Sequence, residues 1–279
     1  MQVFTTIREL KDALAKARGS GQISFVPTMG YLHEGHLSLA EIAKKRAKFC
    51  VVSIFVNPLQ FNNPEDLKKY PRNLEKDLSL LEKVAVDFVF APAESEMLSA
   101  VEEKALYQPA FTQDFEAKFR PGHFEGVCAI VSLLFKIVEP NFAVFGEKDF
   151  QQLRIIEQMV QDLKLPIKII RGTTLRDLDG LAKSSRNVRL SPEARGSALA
   201  LSRGLFAVLD AFHKTELDTQ KLKALALDII SKEPGLVLEY LEIIDGVTFK
   251  STEKATVENR VILAASVDGV RLIDNVELI

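Results

Sequence analysis

Ile23-Ser24-Phe25-Val26-Pro27-Thr28-Met29-Gly30-Tyr31-Leu32-His33-Glu34-Gly35-His36 is the stretch whose reading decides the fold. Ile23 to Val26 is a short β-rich run stopped by Pro27. From Gly35 to Phe49, Leu37, Ala40, Ala43 and Ala47 recur roughly in phase, as on one face of a helix. Val51 to Val56 is then almost continuously apolar, as a strand covered on both faces must be, and Asn57 and Pro58 end it.

Outward from this core the alternation continues. Ile7 to Arg18 reads as a helix closed by Gly19 and Gly21. Glu65 to Lys83 reads as a helix broken around Tyr70 and Pro71. Val86 to Phe90 is a strand, Gly126 to Val138 a strongly apolar helix, Phe142 to Phe145 a strand, Phe150 to Leu163 a helix and Ile167 to Ile170 a strand. Such alternation predicts an α/β fold over residues 1–175, a Rossmann-like parallel sheet with helices on both faces. Ligands bind such sheets at the carboxyl ends of the strands. Beyond about residue 175 the style changes. Pro192 to Phe212 and Leu217 to Lys232 read as helices; Leu236 to Ile244, Arg260 to Val267 and Val270 to Ile273 read as strands, with Asp268-Gly269 as a tight hairpin turn. Residues 176–279 are therefore expected to form a smaller α+β C-terminal domain.

With 279 residues, 47% of them hydrophobic, the chain can build two cores. Lys and Arg number 36 against 38 Asp and Glu, which excludes the broad basic footprint of a nucleic-acid binder. No apolar run approaches the ~18 residues of a membrane span, and Met1 to Leu10 has no apolar signal core. Cys50 and Cys128 fit no CxxC or metal spacing and read as buried thiols, in keeping with a cytoplasmic setting.

Five polar clusters stand out. Pro27 to His36 follows a strand and opens a helix, whose free N–H groups and dipole favour phosphate, while His33 and His36 can donate to phosphate oxygens. Two histidines at this spacing could also share a metal. Val56 to Asn62 leaves the second buried strand and carries Gln60, a donor and acceptor suited to a small polar ligand. Arg120 to Gly126 is a turn whose His123 reads as a helix-entry residue or a catalytic one. Phe145 to Gln152 is again strand, glycine turn and helix. Its Lys148 suits a phosphate, Asp149 a helix cap or a ribose, and only one of Gln151 and Gln152 can face a site. Asp179 to Asn187 sets two hydroxyls beside Arg186, within a segment (Lys164 to Arg195) holding eight Lys and Arg against three Asp and Glu. Together the clusters point to nucleotide phosphate chemistry without a P-loop; each also has a plain reading as a turn, cap or solvated face.

In the order PTMGYLHEGH, SIFVNPLQF, YPR, RPGHFEGV, VFGEKDFQQL and DGLAKSSRN, these motifs resemble the pantothenate synthetase family of the nucleotidylyl-transferase superfamily, from about Val26 to Leu190. The HxGH element alone is shared more widely. The resemblance implies that pantoate and ATP form a pantoyl-adenylate, which β-alanine converts to pantothenate with release of AMP. It implies ATP contacts from Met29, Gly30, Tyr31, Leu32, His33, Glu34, Gly35 and His36, from Gly146, Glu147, Lys148 and Asp149, and from Leu175, Lys183, Ser184, Ser185 and Arg186. Among these, His33, His36, Lys148, Ser184, Ser185 and Arg186 are the expected catalytic groups. Gln60 and Gln152 are expected to hold pantoate and β-alanine, and Asp77 to make an outer contact to Mg²⁺. A homodimer and a C-terminal domain that closes over the site are implied in the same way. The chain departs from the family pattern at Lys183, commonly apolar; at Leu59, commonly Met; and over Asp114 to Phe119, which lacks a glycine. Two other functions compete: a nucleotidylyltransferase acting on a phosphate acceptor, which would not need Gln60 and Gln152, and a non-catalytic nucleotide-binding module, which would not need His36 and Lys148.

Overall fold

The structure, a computed structural model, describes residues 1–101 and 107–279. They divide into two compact units, Met1–Glu147 with Gln151–Thr173, and Lys148–Phe150 with Thr174–Ile279.

The first unit runs β1 (Gln2–Phe4), α1 (Ile7–Arg18), β2 (Ile23–Thr28), α2 (Glu34–Arg46), β3 (Phe49–Ile54), α3 (Pro64–Lys69), α4 (Leu74–Lys83), β4 (Phe88–Phe90), α5 (Glu94–Ser99), α6 (Glu116–Phe119), α7 (His123–Val138), β5 (Phe142–Gly146), α8 (Phe150–Asp162) and β6 (Lys168–Gly172). All paired strands are parallel, in the order β1-β4-β3-β2-β5-β6. From β2 the chain builds to one side through β3 and β4, then returns to the other through β5 and β6. Loops leaving the carboxyl ends at such a reversal diverge and open a crevice.

The period of two in a strand explains why the strands are apolar throughout. On one face Val26, Val52, Val89 and Val144 pack with Ala40 and Ala43 of α2 and Leu81 of α4. On the other, Phe25 meets Phe135 of α7 edge-on, and Phe135 meets Phe145 in the same way. Gly172 is buried against α2, where a Cβ would lie 2.1 Å from Leu39 Cδ2.

The predicted alternation is present, with shifts that have local causes. Helix α2 stops at Arg46, because Phe49 pairs with Ile23 as the first residue of β3. The break at Tyr70-Pro71 separates α3 from α4. Helix α7 begins at His123, three residues before Gly126, entered through Gly122 at φ 78°. Strand β1 was not foreseen: three residues on a sheet edge carry too little pattern to read.

The second unit contains α9 (Pro192–His213), α10 (Thr219–Ile230), β7 (Leu236–Asp245), β8 (Asn259–Val267) and β9 (Val270–Glu277). The strands form an antiparallel sheet in the order β7-β8-β9. Ser191 caps α9 by accepting from Ala194 N–H, and Asp218 caps α10 by accepting from Gln220 and Lys221 N–H. Asp268 and Gly269 both have positive φ, 47° and 73°, as a two-residue hairpin requires. The core lies between the helices and one sheet face, with Leu201, Leu205, Leu222 and Ala226 against Val261, Leu263 and Leu272.

Candidate active site

Gly30 and Tyr31 leave β2 in consecutive left-handed conformations, φ 78° and 49°. Only glycine adopts this without cost, so Tyr31 must be held. Asp77 of α4 holds it: its carboxylate accepts from Tyr31 N–H at 2.8 Å and Leu32 N–H at 2.7 Å. Lys76 lies 5.5 Å from the Tyr31 ring centre. Asp77 is 1% exposed, and burial pushes its pKa up against the pull of those two N–H groups. Both of its oxygens thus serve the loop.

His33 and His36 open α2, rings 4.1 Å apart. His33 Nδ1 accepts from Gly35 N–H at 3.1 Å, and His36 Nδ1 accepts from His33 N–H at 3.3 Å. Each Nδ1 is thus an acceptor, so the neutral rings carry their proton on Nε2. The main chain sets both tautomers and makes each Nε2–H a donor at the start of a helix, where an anion is favoured. A cleft of about 230 Å³ runs beside this loop, lined among others by Met29, Gly30, Tyr31, Arg72 and Asp77.

Gln60 closes a short 3₁₀ turn, Pro58–Gln60, after β3. Asn57 caps the turn: its Oδ1 accepts from Leu59 N–H, and its Nδ2 donates to Gln60 Oε1 at 3.1 Å and to Gly126 O at 3.0 Å. Gln60 Oε1 is thereby held by Asn57. His123, 4% exposed, has Nδ1 at 2.9 Å from Gln60 O and Nε2 at 3.1 Å from Arg120 Nη1. Because guanidinium only donates, Nε2 accepts and Nδ1–H donates to the Gln60 carbonyl. His123 therefore braces the Gln60 turn. Sequence reasoning missed Asn57 and Arg120 in this role, though an Asn directly before a proline turn is a local signal for a cap.

The Gln pair resolves by contact. Gln151 is buried and spent: its Oε1 accepts from Glu116 N–H, and its Nε2 donates to Phe111 O and Asp114 O. Those bonds bracket Phe115, held at φ 55° in the stretch where the family's glycine is missing. Gln152, its neighbour, is half-buried. Gly146 and Glu147 end β5 and enter a 3₁₀ turn. Asp149 lies inside that turn and is exposed, and its carboxylate makes no hydrogen bond among the described residues.

In the second unit, residues 175–183 form a small hairpin through an Arg176–Ala182 bridge and a Lys183 N–H to Leu175 O bond. Ser184 Oγ accepts from Arg186 N–H, and Ser185 is buried. Lys183 Nζ donates to Asp177 Oδ1 at 2.6 Å, while Arg195 bonds Asp177 and Asp179. One donor of the Lys183 ammonium is thus engaged within the hairpin. Burial alone would raise the Asp177 pKa, but the hydrogen bonds and charges of Lys183 and Arg195 outweigh it and hold the carboxyl below its ordinary value. A carboxylate depressed in the folded state contributes stability that is complete above its ordinary range and is lost as pH falls through the folded value. Asp177→Asn is accordingly expected to flatten the acid limb of stability measured by denaturant unfolding from pH 6 to pH 2; an unchanged limb would remove the ion pair from that role.

Cys50 and Cys128 are buried, their thiols pushed up to about 12 by desolvation, and are inert at neutral pH. Among the described residues no helix is long and apolar enough to cross a membrane.

A family profile described as pantoate-beta-alanine ligase matches residues 2–277. The pantothenate synthetase of Acetivibrio thermocellus is 44% identical over 99% of both chains. The crystal structure of pantothenate synthetase from Thermus thermophilus superposes with a TM-score of 0.93 at 40% identity, covering 100% of this chain and 99% of that one. Pantoate-beta-alanine ligase from Francisella tularensis, crystallised with beta-gamma ATP and beta-alanine, gives 0.81 at 32% identity, covering 100% and 98%. Whole-length agreement in sequence and in fold, both units included, leaves one assignment: the chain belongs to the pantoate-beta-alanine ligase family, whose members are ligases of pantothenate biosynthesis.

Proposed function

We propose that this enzyme joins pantoate to β-alanine at the expense of ATP through a pantoyl-adenylate. A pantoate carboxylate oxygen attacks the α-phosphorus of ATP and pyrophosphate leaves. The neutral amine of β-alanine then attacks the acyl carbon, AMP leaves and the amide nitrogen loses a proton. Family membership carries the overall reaction; the observation that supports this mechanism is the pair of Nε2–H donors that the main chain presets at the start of α2.

Charge develops on phosphate oxygens as pyrophosphate departs, so preorganised donors lower that barrier most. We assign this task to His33, His36, Lys148, Ser184, Ser185 and Arg186. Met29, Gly30, Tyr31, Leu32, Glu34, Gly35, Gly146, Glu147 and Leu175 supply backbone and packing around the nucleotide, and Asp149 its ribose contact. The Gln60 and Gln152 amides suit the pantoate carboxylate and hydroxyls. Mg²⁺ would arrive with ATP, held by phosphate oxygens and water. On the resemblance alone we infer a cytoplasmic homodimer.

Pyrophosphate–ATP exchange tests the reading. Exchange is expected only with pantoate present, and AMP release only after β-alanine is added. Exchange indifferent to pantoate would favour a nucleotidylyltransferase, and no exchange at all would sink the adenylate.

A further inference from the structure

We propose that Asp274 and Asn275, side by side on β9, form a bracket that positions both nucleotide-binding segments of the second unit, and that Arg260 completes it. The proposal rests on the nucleotide roles assigned above to Lys148 and to the hairpin ending at Arg186.

Neighbouring residues of a strand point to opposite faces of its sheet. Asp274 shares the core face with Val270 and Leu272, and Asn275 shares the other with Arg260 on β8. On the core side, Arg176 places Nη1 at 2.6 Å and Nη2 at 2.8 Å from the two Asp274 oxygens, a bidentate pair. The same guanidinium donates to Gly180 O and Asn275 O, closing the hairpin that leads into Ser184, Ser185 and Arg186. On the opposite face, Asn275 Nδ2 donates to Lys148 O at 2.9 Å. Its Oδ1 accepts from Arg260 Nη1 at 2.7 Å, which fixes the amide orientation. Arg260 also lies 4.1 Å from the Phe150 ring centre, and Phe150 stacks on Phe249. Lys148 is thus anchored through its backbone and through Phe150, two residues on.

Arg260, Asp274 and Asn275 are 3%, 4% and 5% exposed. Burying charge and amide is costly unless every group is matched, and a plain core would use apolar residues there. Here the matched groups are the backbone of one proposed phosphate-binding segment and the base of the other. One strand residue pair thereby ties the spacing of Lys148 to that of the Ser184–Arg186 turn, which suits a polyanion touched by both. These are positioning residues: none is assigned a substrate contact.

Asn275→Asp is the decisive variant. It keeps the size and the oxygen that receives Arg260, and replaces the NH₂ donated to Lys148 O by a carboxylate oxygen that repels that carbonyl, the added charge being answered by Arg260. Expected are a near-native melting temperature, a KM for ATP raised about tenfold, and KM values for pantoate and β-alanine within about twofold. In a Lys148→Ala background the same change should add little, because the anchored side chain is gone. A general packing defect would instead shift all three KM values or only the active fraction. Unchanged KM for ATP in the folded variant, or full additivity with Lys148→Ala, overturns the bracket. Should Asn275→Asp not fold, Arg260→Lys keeps the charge but loses the fork and is expected to raise KM for ATP selectively; no rise there overturns the bracket as well. If Lys148→Ala itself leaves KM for ATP unchanged, its phosphate role falls and the bracket falls with it. A strong Lys148→Ala effect beside a silent Asn275→Asp sinks the bracket alone.

Discussion

His36→Asn is expected to slow pantoate-dependent pyrophosphate exchange by about 10²–10³-fold, or ~2.7–4 kcal/mol of barrier, the usual cost of one lost transition-state donor. The variant is chosen for what it keeps. Asparagine Oδ1 can take the place of His36 Nδ1, which accepts from His33 N–H, so the entry to α2 is retained. Only the Nε2–H is lost. Stability should therefore change by less than about 1 kcal/mol, the scale of one cap contact, while the rate collapses. His36→Gln, whose amide N–H reaches nearer to the Nε2 position, should recover part of the rate. A His36→Asn enzyme with wild-type exchange would remove this histidine from the chemistry. One that is strongly destabilised with intact specific activity would make it a capping residue.

Gly126→Ala is expected to destabilise the enzyme by about 1–3 kcal/mol and to raise KM for pantoate at least about tenfold, because the added methyl overpacks the turn that carries Gln60. Two effects oppose each other. Alanine is the better helix former by about 0.8–1 kcal/mol, so propensity alone predicts stabilisation. Contact decides otherwise: a Cβ at Gly126 would lie 2.2 Å from Leu59 O, 2.4 Å from Leu59 C and 2.8 Å from Gln60 N. These are backbone atoms, which cannot rotate away. The turn must move, and with it the bonds from Asn57 to Gly126 O and from His123 to Gln60 O. Thermal unfolding and KM for each substrate read the outcome. A stabilised variant with unchanged KM for pantoate would show that the turn yields freely and that its seat on α7 does not position Gln60.

Local sequence was informative where chemistry and periodicity coincide. The apolar runs of β2 and β3, the glycines after β2 and β5, and the paired histidines at the entry to α2 all announce themselves, because buried strands and anion-binding helix starts tolerate few residue types. Asp77 did not. Nothing near Lys76-Asp77-Leu78 distinguishes a carboxylate that grips a loop 45 residues upstream from one that faces a metal. Gln151 and Gln152 were equivalent on paper, and the 111–116 loop that claims Gln151 is remote in sequence. Nothing near His123 in the sequence shows its bonds to Gln60 O, 63 residues away, and to Arg120.

By itself, then, the sequence determined the α/β alternation, the antiparallel C-terminal strands, the inert thiols and the family, since these follow from short-range pattern and from motifs read in order. The tertiary structure alone decided which side chains are spent on the protein's own backbone. His33 and His36 carry their protons on Nε2 because main-chain N–H groups occupy both Nδ1 atoms. Asp77 holds a loop, Lys183 answers Asp177, and β9 reaches Lys148 through a single amide. Each of these is a choice of hydrogen-bond partner. A polar residue in a sequence carries its capacity to donate or accept, but its partner is set only when folding brings distant backbone within about three ångströms and burial makes leaving the bond unmade costly.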